Sequence, residues 1–427
     1  MPKILSFLTI LFITALPIRA QQYSDFFTSQ ACRIDFNLCG DQKHTATYLA
    51  KVHCEPAWGG RQNHLSESLN LGEYQFQVRD SVTGQIIYTE GFSSLFNEWQ
   101  STAEAMKMHR CFEQSIRFPF PIKTVRFTIQ KRVGFNAWDD LLTIHVNPAD
   151  KLIKKNQHPA VEVKKISGNL PPEKAIDIAV IAEGYNRKEM KQFYKDAMML
   201  AESLFSHEPF KQYKDRFNVY AIAAVSQDSG VSMPHINRWR NTAVNAHFHT
   251  FYEPRYLTSS ETFKIRNYAA QVPYDAVFVL VNTPLYGGGG IFNSLTIASA
   301  RSKRALTQVI VHEFGHGFAG LGDEYFYDQD ALGNLYDITK EPWEPNITTL
   351  VQFDTKWREM LPSGTVIPTP VGDSIPKPAI GVFEGGGYRK KGIYRPAYDC
   401  RMRTNNAPGF CPVCQKAVEK MILYLTE

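Results

Sequence analysis

The chain has 427 residues, 44% hydrophobic and 21% charged, with a formal net charge of +5. That length allows two or three domains with sizeable cores, and the composition is that of an ordinary globular protein rather than a disordered or membrane-spanning one. The charge is too mild for a nucleic-acid partner, and no basic stripe with interleaved aromatics occurs.

Residues 1–20 read as a secretory signal peptide. Lys3 supplies the positive start, Ile4 to Leu16 is an apolar run too short to span a bilayer, and Ile18-Arg19-Ala20 offers a small residue at the cleavage point. Losing Lys3 and Arg19 with the leader lowers the net charge by two, to +3. No later segment is long and apolar enough to cross a membrane. The expectation is an exported protein, periplasmic, cell-surface or secreted, without a transmembrane anchor.

Residues 21–155 are expected to form a β-sandwich. Tyr74–Arg79, Gly84–Tyr88, Ser115–Phe120, Thr124–Ile129 and Leu141–Val146 read as short strands separated by turns. The aromatic content, 13%, suits such a core. His44, His53, His64 and His109 show no ligand spacing. Residues 156–172 are polar and proline-bearing and read as a linker.

From 173 to 427 the pattern changes to strands alternating with helices, which means an α/β or α+β domain; the expectation adopted is α+β with a mixed sheet. Ile176–Ala182 is a buried strand. Asn186 can cap the helix that follows, running to about Phe205. Phe217–Val225 is a second strand, and Asp275–Val281, apolar throughout, is a central one. Gly287–Gly290 lacks the Lys-Ser/Thr ending of a phosphate loop and reads as a flexible loop into an edge strand beside the next helix. The five prolines of 362–378 mark a surface loop. A last helix begins near Val413.

The chemistry concentrates in His312-Glu313-Phe314-Gly315-His316. This is the H-E-x-x-H pattern, which on a helix puts two imidazoles on one face and a carboxylate beside them. Gly315 and Gly317 suggest close packing, and Gly320 or Gly322 ends the helix. A catalytic Zn2+ takes three protein ligands. No histidine follows His316, so a third ligand from downstream must be a carboxylate. Asp323 is favoured over Glu324, with Glu324 then orienting a ligand histidine. His247 or His249, upstream, stays open as an alternative.

With these residues in hand, the chain resembles the IgA peptidase family of bacterial zinc metallopeptidases (metallopeptidase family sixty-four). The resemblance rests on Phe118-Pro119-Phe120-Pro121, Ile181–Tyr185, Glu208-Pro209-Phe210, Arg216–Val219, Ser226–Gly230 and His312–Tyr325. It continues through Phe383–Tyr388, Tyr394-Arg395-Pro396, Cys400–Arg403 and Phe410–Cys414. It implies an N-terminal β-sandwich followed by a metzincin-like zinc peptidase domain, with Met402 at the methionine turn beneath the metal. Glu183-Gly184 departs from the family's usual acidic-Gly or Asp-Gly pair, and no role is inferred there. A disulfide from Cys400 to Cys411, or to Cys414, would brace that turn; a Cys411–Cys414 bond is the alternative. Cys411 and Cys414 could also be a redox pair or half of a zinc site, but no partner pair is evident in the sequence.

The expected function is a zinc-dependent endopeptidase in which Glu313 is general base toward a metal-activated water. The partner is a protein or peptide substrate, host glycoproteins such as IgA among the candidates. The alternative is a non-catalytic adhesin or glycan-binding protein on a peptidase-like scaffold.

Overall fold

The computed structural model describes residues 22–155, 160–301, 306–327, 335–372 and 379–427. The expected leader, residues 1–20, lies outside them, as do parts of the expected linker and of the proline loop. No helix among the described residues is long and apolar enough to cross a membrane.

The N-terminal part is strand-rich. Its strands are β1 (Phe27–Gly40), β2 (Thr45–Glu55), β3 (Tyr74–Asp80), β4 (Ile86–Phe92), β5 (Arg110–Pro121), β6 (Val125–Gly134), β7 (Ala137–Val146) and the two-residue β8 (Lys154–Lys155). A short helix α1 (Leu95–Gln100) follows β4 and is capped by the Ser94 hydroxyl, which accepts from the Phe96 amide. The strands form two four-stranded sheets, β5-β1-β2-β8 and β4-β3-β6-β7. Ile34, Phe36, Phe76, Phe118 and Phe127 meet between them, and aromatic pairs such as Phe76–Phe127, with centroids 5.7 Å apart, fill the gap. Most of the aromatic surplus of this half is therefore core.

β1 and β2 lie outside the expected strand set. The inward side of β1 alternates Cys32, Ile34, Phe36 and Leu38, all buried. Its other face carries Arg33 and Asp35, and these are buried as well, because that face is covered by the second half of the molecule. Arg33 pairs with Glu55 at 2.9 Å and donates to the Asn267 carbonyl oxygen Oδ1 at 2.7 Å. Arg117 joins Glu55 at 2.8 Å. Each buried guanidinium thus has a carboxylate partner, as burial of charge requires.

The second half is built on a six-stranded mixed sheet. It adds β9 (Val163–Ser167), β10 (Ile176–Glu183), β11 (Phe217–Ile222), β12 (Ala276–Val281), β13 (Gly288–Ile291) and β14 (Leu295–Ser299). Their order is β13-β14-β12-β10-β11-β9. The inner four run parallel, and the two edge strands run antiparallel to their neighbours. β10 is buried on both faces, with Ile178 and Val180 in one core and Ala179 and Ile181 in another. This is why its sequence is a continuous apolar run. Within the stretch expected as linker, Val163–Ser167 is the edge strand β9.

Helices α2 (Met190–Leu204), α4 (Leu306–Ala319) and α5 (Pro412–Thr426) contribute to the first of these cores, and α3 (Thr262–Ala269) to the second. The entry to α2 is a capping box: Asn186 accepts from the Lys188 amide at 3.0 Å, and Glu189 accepts from the Asn186 amide at 2.9 Å. A two-stranded ribbon, β15 (Phe383–Gly386) and β16 (Arg389–Arg395), precedes α5.

Cys39 and Cys111 are joined by a disulfide across β1 and β5. Cys32, Cys54, Cys400, Cys411 and Cys414 are free and buried. The expected bridge from Cys400 is not present: its sulfur is 3.8 Å from that of Cys414, against about 2.05 Å for a disulfide.

Candidate metal centre

Helix α4 carries His312, Glu313 and His316 and is held close to its surroundings by missing side chains. A Cβ on Gly317 would lie 2.1 Å from the Thr296 hydroxyl oxygen, and one on Gly290 of β13 would lie 2.4 Å from the Glu313 carbonyl oxygen. The glycine run is therefore no loosely attached loop. From Gly288 it is itself the edge strand, pressed against the helix. Its outer edge is partly covered, since the Leu257 amide donates to the Gly288 carbonyl at 3.3 Å. The helix ends at Gly320, whose φ of +63° suits glycine. The chain then turns back and delivers Asp323.

Three donor atoms converge. His312 Nε2 and His316 Nε2 are 3.0 Å apart, and Asp323 Oδ1 is 3.2 Å from the first and 3.3 Å from the second. Donors bound at about 2.0–2.1 Å in a tetrahedron lie about 3.3 Å from one another. Both Nδ1 atoms are engaged behind: His312 Nδ1 donates to the Arg401 carbonyl at 2.9 Å, and His316 Nδ1 donates to the Leu321 carbonyl. This fixes the tautomers and turns two Nε2 lone pairs toward each other and toward a carboxylate oxygen. Asp323 Oδ1 has no hydrogen-bond donor of its own. Two lone pairs and an anion facing one another call for a cation, so the residues present fit a metal ion. His312 and His316 keep 16% and 15% exposure, so the centre is not sealed from the cavity it lines.

Burial pushes both imidazoles down, but the facing Asp323 carboxylate overcomes it and takes His316 up to about 9; His312 is also raised. Burial would raise Asp323, yet the two imidazoles hold it far below the usual carboxylate range. Glu313 is raised by burial, with the histidines opposing.

The family model described as IgA Peptidase M64 matches residues 164–377 and 371–422, and Peptidase M64 N-terminus matches residues 22–142. The chain belongs to the IgA Peptidase M64 family. No curated protein matches it. The M64 family makes the protein a metallopeptidase, a hydrolase of protein or peptide substrates, and the adhesin reading is not favoured.

In this M64 chain the expected residues separate into two groups. His312, Glu313, His316 and Asp323 line one cavity of about 670 Å3. Glu324 does not share it. It turns to the opposite side, accepts from Asn346 Nδ2 at 2.9 Å and sits 3.1 Å from the Cys414 sulfur. Glu324 thus orients neither histidine; the Arg401 and Leu321 carbonyls do that. His247 donates to or accepts from nothing at the centre, its Nδ1 lying 3.0 Å from the Phe248 carbonyl, and neither it nor His249 joins the cluster. Met402 is fully buried beneath the helix, its sulfur 3.0 Å from where a Gly315 Cβ would stand.

Sequence reasoning missed Tyr388 and Glu98. The Tyr388 hydroxyl donates to Asp323 Oδ2 and leaves Oδ1 for the centre. Its place after Gly385-Gly386-Gly387 was the only signal. Glu98 reaches the cavity from α1 of the N-terminal half and accepts from the Tyr256 hydroxyl. Burial first, and nearby Glu73 and Asp323, take its carboxyl up to about 7, against the Tyr256 hydrogen bond and His316. No local pattern around Glu98 points to this role, because it depends on how the two halves dock.

Proposed function

We propose that this chain is a zinc-dependent endopeptidase with a metzincin-like second domain, in which His312, His316 and Asp323 hold the metal and Glu313 is the general base. The observation that carries the reading is the triangle of three lone-pair donors with edges of 3.0, 3.2 and 3.3 Å. Bound zinc would supply Lewis acidity to the scissile carbonyl and lower the pKa of water at the site.

Glu313 follows His312 directly and faces the same cavity. Its carboxylate takes the proton of the attacking water and delivers it to the leaving amine. Burial raises its proton affinity, which brings a carboxylate toward the working range of a general base. The Arg401 and Leu321 carbonyls hold the ligand rings in place, and Tyr388 holds Asp323. Met402 supplies an apolar floor, the place a methionine turn has in metzincins. The substrate is an extended peptide within a larger protein, IgA being one candidate. Export through the leader at 1–20 belongs to the same reading and predicts a mature N-terminus at Gln21.

An unbiased peptide library, incubated with purified protein, tests the reading. Cleavage within peptides, abolished by a chelator and restored by zinc, is expected. Cleavage that persists in fully metal-depleted protein would overturn it.

A further inference from the structure

On the far side of Asp323 a second group of metal-binding side chains converges. Glu324 follows Asp323 directly, Cys400 stands two residues before Met402, and Cys411 and Cys414 begin helix α5. Each offers one donor atom, and the four atoms lie within 4.8 Å of one another. We propose that Cys400, Cys411, Cys414 and Glu324 form a second, structural zinc site.

The spacing of the atoms supports a shared ion over a covalent bridge. Cys400 Sγ and Cys414 Sγ are 3.8 Å apart. Two sulfurs bound to one zinc at about 2.3 Å in a tetrahedron stand about 3.8 Å apart. Glu324 Oε1 is 3.1 Å from Cys414 Sγ, and Glu324 Oε2 is buried with no hydrogen-bond partner. A disulfide between any two of the cysteines would do nothing for this buried carboxylate, whereas a shared cation meets it directly. Cys411-x-x-Cys414 has the short spacing of structural zinc ligands; the fold supplies the partners that the sequence alone left missing.

Chemistry and burial point the same way. Three thiolates and a carboxylate in a compact group suit zinc rather than calcium or magnesium. Cys411 is the most exposed of the four at 6%, so the site is closed, as structural sites are, and a redox pair would lack access. The cysteines at the start of α5 also sit at the positive end of a fifteen-residue helix. The Cys411 amide donates to the Cys400 sulfur at 3.2 Å.

The ion would tie together the two segments that build the catalytic centre. The Glu324 amide donates to the Met402 carbonyl at 2.9 Å, and Arg401 lies between Cys400 and Met402. One clamp therefore positions Asp323, the methionine floor and the carbonyl that orients His312. The inference does not depend on the catalytic reading.

The test uses the full chain carrying His312→Ala and His316→Ala together, which removes the first site and spares the second. Metal analysis should find two zinc ions per wild-type chain and one in this double variant. After exchange with cobalt(II), the double variant should show sulfur-to-cobalt charge-transfer absorption in the near ultraviolet, which nitrogen and oxygen ligands do not give. Adding Cys414→Ser should abolish both the ion and the band; because that chain could misfold, the cobalt spectrum of the double variant is the deciding measurement. A double variant without zinc, one with zinc but no cobalt–sulfur band, or a non-reduced peptide map linking two of the three cysteines would each overturn the proposal. Failure of the catalytic reading would show separately, as wild-type protein with a single, cysteine-bound ion and no cleavage.

Discussion

His312 and Arg401 stand eighty-nine residues apart in the chain and are joined by one hydrogen bond of 2.9 Å from imidazole Nδ1 to backbone carbonyl. The bond does in one contact what the helix cannot do alone: it sets which nitrogen of His312 faces the cavity. His316 is set the same way by the Leu321 carbonyl. Neither bond involves Glu313. Glu313→Gln is therefore expected to keep the fold and the metal while turnover falls by about 10²–10⁴-fold, the usual contribution of a general base. Zinc content and cleavage rate measured on the same sample check this; turnover near wild type would remove Glu313 from the mechanism.

Asp323 is the proposed ligand that the fold must work hardest to place, because it comes from beyond the helix. Asp323→Ala, His312→Ala and His316→Ala should each strip most of the metal from the centre. Tyr388→Phe should weaken zinc binding by about 10–100-fold, the range seen when a group supporting a ligand is lost, since the phenol then no longer engages Oδ2. Competition with a zinc chelator reads these affinities. An unchanged affinity in Tyr388→Phe would mean that the phenol contributes only packing.

The legibility of the chain followed locality. His312, Glu313 and His316 sit within one helical turn, so their convergence was readable from spacing, and Asp323 could be reached by asking which donors remained downstream. β10 and β12 were readable because burial on both faces writes an unbroken apolar run. β1 carried the same alternation as the recognised strands, but Arg33 and Asp35 on its second face are buried among partners distant in sequence, Glu55, Ser115 and Asn267 among them. Glu324 illustrates the limit most clearly. Adjacent in sequence to Asp323, it takes quite different partners, Asn346 and Cys414 rather than the two histidines. Nothing in the local sequence says which of the two turns toward the histidines. The disulfide expectation failed for a related reason: three cysteines within reach of each other specify proximity, not the bond, and Glu324 as their neighbour comes from a segment seventy-six or more residues earlier.

The glycines around α4 give a packing test. A Cβ on Gly317 would stand 2.1 Å from Thr296 Oγ1, and the Leu295 carbonyl oxygen would be 3.4 Å away. Gly317→Ala must push the helix from β14 or drive Thr296 aside. The expected cost is about 1–3 kcal/mol, as for other overpacked sites, with cleavage reduced because His316 is the preceding residue. The double variant Gly317→Ala with Thr296→Ser is expected to recover little, since the hydroxyl oxygen remains. Gly317→Ala with Thr296→Ala should recover more, and thermal unfolding of the two pairs decides between them.

The last prediction concerns pH and lies away from the metal. Asp177 and Asp275 face each other at the start of β10 and β12, with the Asp177 amide donating to Asp275 Oδ2 at 2.8 Å. Burial, then the neighbouring Asp275 charge, raises the Asp177 carboxyl to about 8, although Asn218 donates to it at 2.8 Å. Burial also raises Asp275. A raised carboxyl holds its proton in the folded chain where the unfolded chain, with an aspartate pKa of about 3.9, has released it. The folded state therefore binds more protons, and stability declines with rising pH. The contribution is whole below about pH 4 and is lost as the pH climbs through about 8. Asp177→Asn removes that proton uptake and can still accept from Asn218 through its carbonyl oxygen. Between pH 5 and pH 8 the melting temperature of wild type should fall more than that of Asp177→Asn, by a few degrees for a difference of about 1–2 kcal/mol. Melting curves of both proteins with the metal site saturated throughout check this, and parallel pH profiles would show that the pair is ionised in the folded chain at pH 5.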